Sequence, residues 1–98
     1  MKELIRKLTS ISSPSGREEQ VRAVIKEEIA SSVDEIYEDK LGNLIAVKHG
    51  GKTKVLLAAH MDEIGIIVTD IDEQGFLRFG NVGGINPQRL VGQRARFT

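Results

Sequence analysis

The chain has 98 residues, and 14 Lys plus Arg balance 14 Asp plus Glu to a net charge of zero. Balanced charge excludes the basic footprint of a general nucleic-acid binder and the character of an acidic tail; the absence of cysteine excludes disulfides, thiolate nucleophiles and Cys-ligated zinc within the chain. At 40% hydrophobic and 29% charged residues, the composition is that of a globular domain expected to bury about two-thirds of its unfolded surface.

No segment approaches the ~20 apolar residues of a membrane span. The N-terminus, Met1 to Ser10, alternates charge with Leu and Ile and lacks the apolar stretch of a secretory signal. A cytoplasmic protein without a membrane partner is expected. One Tyr, three Phe and no Trp leave little for stacking on single-stranded nucleic acid.

Leu4, Ile5, Leu8 and Ile11 fall at helical spacing and predict a first helix with one buried stripe. Ser12-Ser13-Pro14-Ser15-Gly16 ends it, because Pro14 lacks an N–H and disfavours helical backbone at Ser13. Ser15 precedes Glu18 by the spacing of a capping box. A second helix is expected beyond it, with Val21, Val24, Ile25 and Ile29 toward the core.

From Val33 the period changes. Val33, Ile36 and Tyr37 lead into a turn at Gly42-Asn43, and Leu44 to Val47 follow as a strand. The acidic run from Asp34 to Asp39, broken by Ile36 and Tyr37, reads as the solvated face of a strand. A turn at His49-Gly50-Gly51-Lys52 precedes Lys54 to Ala59, an apolar run with the look of a strand covered on both faces. After Asp62, Ile64 to Ile71, Gly75 to Phe79 and Leu90 to Phe97 read as short strands of a small barrel or sandwich. Helical periodicity is gone after Ala30. The fold class is therefore α/β: two helices, a hairpin and a buried strand over residues 1–66, running into a β-rich unit over 67–98.

The chemistry concentrates at Ala58-Ala59-His60-Met61-Asp62-Glu63. A strand end is where open α/β sheets bind ligands. Imidazole is a common zinc ligand, and a ligating His usually donates its other N–H to a carboxylate or carbonyl. Asp62, two residues on in an extended segment, faces the same side as His60; Glu63 is expected on the opposite face. A structural histidine at a strand end is the alternative reading of this pattern. His49 reads as a solvated turn residue. Gly51-Lys52-Thr53 lacks the first glycine of a phosphate loop, since position 46 is Ala46, and precedes a strand. Gly80 to Gly84 has no following helix to offer an anion. Arg89, Arg94 and Arg96 form a basic patch without stacking aromatics.

Taken together, Ser13-Pro14-Ser15-Gly16, Asp39 with Gly42-Asn43-Leu44, the string Ala59-His60-Met61-Asp62-Glu63-Ile64-Gly65, and Gly75 to Phe79 with Gly83-Gly84 resemble the start of a dinuclear metallo-aminopeptidase. The similarity is to the deblocking or glutamyl aminopeptidases, which form tetrahedral dodecamers and include relatives labelled endoglucanases. The resemblance implies that His60 is a metal ligand and that Asp62, which holds it, counts among the catalytic residues. It also implies two divalent ions, zinc or cobalt, in the complete protein, with peptides as substrates and a homo-oligomeric assembly. Residues 1–66 would then belong to the peptidase α/β domain, and 67–98 would begin a β-barrel-like dimerisation domain. The bridging aspartate, the glutamate pair, a further aspartate and the second histidine of the family would lie beyond Thr98. The expectation is an N-terminal fragment, inactive by itself and holding no ion tightly; the alternative is a non-catalytic truncated homologue that serves as a self-association module. No other cofactor is implied.

Overall fold

The structure is a computed structural model that describes residues 1–98. Helix α1 spans Lys2–Thr9 and helix α2 spans Glu19–Ile29, followed by a 3-10 turn at Ala30–Ser32. Strands β1, Glu35–Glu38, and β2, Leu44–Val47, form one antiparallel hairpin; β3, Gly65–Ile71, and β4, Leu77–Val82, form a second. A 3-10 turn at Pro87–Arg89 completes the element order. No helix is long and apolar enough to cross a membrane.

The expected helices form, and α1 stops ahead of Pro14. On α2, Val21 is 4% exposed, and Val24, Ile25 and Ile29 are half-buried, so the predicted stripe faces inward. Helix α1 is shorter and less covered than expected: it stops at Thr9, so Ile11 lies beyond the helix; Leu8 and Ile11 are half-buried, whereas Leu4 and Ile5 are exposed. Lys7 Nζ donates to Glu28 Oε1 at 2.6 Å and links the two helices. Arg22 Nη1 donates to Glu38 Oε2 at 3.0 Å, tying α2 to β1.

The β1–β2 turn forms where Gly42 predicts it. Gly42 has φ of +85°, a conformation that costs L side chains energy. Asp39 closes the turn by accepting from the Leu41 and Asn43 amides, each at 2.9 Å, and from Asn43 Nδ2 at 2.8 Å. Its carboxyl consequently sits below the usual aspartate range, with the Asn43 side chain the largest cause. Glu35 and Glu38 are both exposed on β1 but lie on opposite faces of the strand, so the acidic residues do not form the single solvated face expected.

Three expectations are corrected. Lys54 to Ala59 form no strand and are exposed, Leu57 at 90%. A strand covered on both faces is held by neighbouring strands and packed layers, and this segment pairs with no other part of the chain. Leu90 to Phe97 form no strand either; a 3-10 turn leads into them and Gly92 takes φ of +77°. The β-rich part is a single hairpin with an irregular register between Val68 and Asp70, with neither barrel nor sandwich closed around it. Burial is correspondingly low. Only Ser13 and Val21 are buried, and 8817 Å² is accessible, against roughly 5,500 Å² for a compact monomer of this mass. The radius of gyration is 17.7 Å, against about 13 Å for a compact domain of this length.

Candidate metal-ligand site

The loop between α1 and α2 packs on the segment that carries His60. The Glu63 amide donates to the Ser13 carbonyl at 2.9 Å, within an isolated parallel bridge between Pro14 and Glu63. In return, the Ser13 amide donates to Glu63 Oε1 at 2.8 Å. Ser13 Oγ donates to the Met61 carbonyl at 3.2 Å, and Ser12 Oγ to Glu63 Oε1 at 3.3 Å. Ser13 is 4% exposed, so these bonds satisfy polar groups that water hardly reaches. Gly65 permits the approach, because a Cβ there would lie 3.1 Å from Pro14 Cβ.

This clamp places His60 and Asp62 together, as their i, i+2 spacing predicts. His60 Nδ1 lies 3.1 Å from Asp62 Oδ1 and 3.1 Å from the Asp62 carbonyl oxygen. Both partners are acceptors, so neutral His60 carries its proton on Nδ1 and leaves the Nε2 lone pair free. The His60 side chain is 86% exposed and that of Asp62 36%. Ser15 Oγ donates to Asp62 Oδ2. The Asp62 carboxyl sits below the usual aspartate range, chiefly because of the Ser15 hydrogen bond and then that of His60. His60 does not sit at the end of a buried strand as expected; an irregular segment delivers it, fixed from the side by the α1–α2 loop.

The sequence reading missed two residues here. Ser15 was expected to cap α2, yet α2 begins at Glu19, and Glu18 Oε1 accepts the Gly16 amide at 2.6 Å. No spacing signal marks Ser15 as a partner of Asp62, since 47 positions separate them. Strand alternation places Glu63 on the face away from Asp62 and gives it no further role; in the structure it is the acceptor that anchors Ser13. The other sequence candidates stay apart from this site. His49 Nε2 pairs with Glu35 Oε1 at 2.7 Å, and the His49 amide donates to Asp34 Oδ2 at 2.6 Å, at the open end of the β1–β2 hairpin. Two grooves of about 490 and 510 Å³ run along the β3–β4 hairpin, and neither is lined by His60 or Asp62.

The donor set fits one ligand position. His60 offers an unprotonated Nε2 on an oriented ring, the arrangement common to ligating histidines. No group of three or more His, Cys, Asp or Glu gathers to hold a metal ion, so these residues do not build a closed coordination shell.

A protein of Acetivibrio thermocellus is 55% identical over 97 residues, covering 99% of this chain and 29% of its own length. A TET aminopeptidase structure from a marine sediment archaeon of the Thaumarchaeota superposes with a TM-score of 0.85 at 39% identity, covering 94% of this chain and 26% of that one. The structure of PhTET1-12s, a dodecamer, matches with a TM-score of 0.77 at 44% identity, covering 88% of this chain and 26% of that one. The chain thus spans less than a third of the length of each of these proteins. Its mixed α/β arrangement of two helices and small antiparallel sheets matches the N-terminal portion of the aminopeptidase fold. The profile of the M42 glutamyl aminopeptidases matches residues 42–98, and the chain belongs to that family.

Proposed function

We propose that the chain forms the N-terminal portion of a metal-dependent aminopeptidase, with His60 as a ligand to one divalent ion and Asp62 as the residue that orients it. The observation that carries this reading is the His60–Asp62 pair, in which Nδ1 is engaged at 3.1 Å and Nε2 is free. Family membership supports it, since the matched residues 42–98 include the pair. A divalent ion, zinc or cobalt, would polarise the scissile carbonyl and lower the pKa of water. Asp62 holds the tautomer and ring angle of His60; Ser13 and Glu63 hold the segment on which both sit. The remaining ligands and the general base belong, in this proposal, to residues outside 1–98, and the chain by itself turns over no peptide.

The same proposal divides the chain into a peptidase part, 1–66, and the start of a dimerisation domain, 67–98, in a cytoplasmic homo-oligomer. The uncovered apolar side chains of Ile67 on β3 and Phe79 on β4 support association, as does the dodecamer of PhTET1-12s.

The test grafts residues 1–98 in place of the matching N-terminal part of the thaumarchaeal TET aminopeptidase. The expected chimaera hydrolyses aminoacyl-p-nitroanilides with added zinc or cobalt, and His60→Ala abolishes both turnover and part of the bound metal. A folded chimaera that keeps its metal and its activity with alanine at position 60 would overturn the assignment.

A further inference from the structure

The side chain of His60 has a single hydrogen-bonding neighbour, Asp62. Its orientation therefore depends on how firmly Asp62 itself is held. The terminal torsion of an aspartate is broad and roughly two-fold, so a carboxylate with one partner swings. Asp62 has two: Oδ1 faces His60 Nδ1, and Oδ2 accepts from Ser15 Oγ. With both oxygens engaged, the carboxylate plane is set.

Ser15 is well placed to do this. The Arg17 amide donates to the Pro14 carbonyl at 2.9 Å, and Gly16 turns the chain at φ of +85°. Ser13 is anchored to Met61 and Glu63 on the other side. No side chain caps α2; Glu18 Oε1 accepts the Gly16 amide ahead of the helix, and the Ser15 hydroxyl is directed to Asp62. The geometry points to Ser15 as a positioning residue that acts through Asp62 to hold His60 as the Nδ1–H tautomer, with Nε2 open to a metal ion. The purpose of this relay rests on the proposed metal-ligand role of His60; the relay itself is testable without metal.

The experiment records long-range 1H–15N spectra of the 98-residue chain at about pH 8.5, where free imidazole is neutral. His60 is expected mainly as the Nδ1–H form, and His49 serves as the internal control. Ser15→Ala should move the His60 tautomer ratio toward Nε2–H by about 3- to 10-fold, the effect of one net hydrogen bond. Ser15→Thr keeps the hydroxyl and should retain the wild-type ratio. If the alanine variant does not fold, Ser15→Cys keeps the size with only a weak donor and should move the ratio in the same direction. A wild-type ratio in a folded Ser15→Ala or Ser15→Cys chain would overturn the relay, as would a wild-type His60 that is mainly Nε2–H. Zn²⁺ alone is then added to the wild-type chain and should perturb the Nε2 resonance of His60 ahead of that of His49. Zinc that leaves His60 untouched, with the Ser15 contrast intact, would overturn the metal-ligand reading and not the hydrogen-bond relay.

Discussion

Removing the Glu63 carboxylate should loosen the grip of the α1–α2 loop on the segment that carries His60. Glu63 Oε1 accepts the Ser13 amide at 2.8 Å and the Ser12 hydroxyl at 3.3 Å. The Ser12 hydroxyl is exposed and regains water at little cost. The Ser13 amide belongs to a residue only 4% exposed, and a buried donor left without a partner costs about 1–3 kcal/mol. Part of that is recovered as water follows the vacated side chain, because Glu63 itself is exposed. A local loss of about 1–2 kcal/mol remains, which corresponds to roughly 5- to 30-fold in an opening equilibrium. Amide hydrogen exchange at Ser13 reads this directly, and Glu63→Ala should accelerate it by that factor. Glu63→Gln offers an amide oxygen at the same place and forfeits only the charge assistance, so it should fall between alanine and wild type. Equal exchange in all three proteins would refute the clamp, and a glutamine variant as fast as alanine would show that charge, not the acceptor, holds the loop.

Two glycines with similar φ should differ in their tolerance of alanine. At Gly83 (φ +86°) a Cβ would lie 2.9 Å from Ile64 Cγ2, whereas at Gly75 (φ +86°) it meets nothing within 4 Å. In urea melts, Gly75→Ala should cost about 1 kcal/mol from backbone strain alone and Gly83→Ala about 1–3 kcal/mol more; equal costs would count against the Ile64 contact. Acid should weaken the β1–β2 hairpin. Asp34 is held below its usual range chiefly by the His49 amide, and Asp39 by the Asn43 side chain. A carboxyl depressed in the folded state stabilises above its unfolded pKa of about 3.9 and loses that contribution as pH falls through the folded value. Carboxyl 13C titrations should therefore place both midpoints below those of the denatured chain, and midpoints at or above them would contradict the assigned bonds. The chain should also self-associate, given the exposed Val55, Leu56, Leu57 and Ile67 and the open edges of two two-stranded sheets. Sedimentation at low micromolar concentration showing only monomer would count against this.

Much of the local structure follows from residues close together in the chain. Helix α1 stops at Thr9, ahead of Pro14, which bars helix from continuing through Ser13; the apolar period of Val21, Val24, Ile25 and Ile29 sets the inward face of α2, and Gly42 turns β1 into β2. Each depends on a backbone restriction or a hydrophobic period that acts within a few residues. The meeting of His60 and Asp62 belongs to the same class, because alternate residues of an extended segment share a side. What lies beyond that range was settled by the tertiary structure. The apolar run Lys54 to Ala59 reads as a covered strand, but hydrophobicity records only that a segment gains by burial and not which part of the chain covers it; here none does. Leu90 to Phe97 likewise find no strand partner. Ser15 has the spacing of a helix cap, and its hydroxyl instead reaches Asp62, 47 positions away. Glu63 finds the Ser13 amide 50 positions back. A hydroxyl or carboxylate bonds whichever partner the fold brings within about 3 Å, and for these two residues that choice is made by the packing of the α1–α2 loop against residues 61–63.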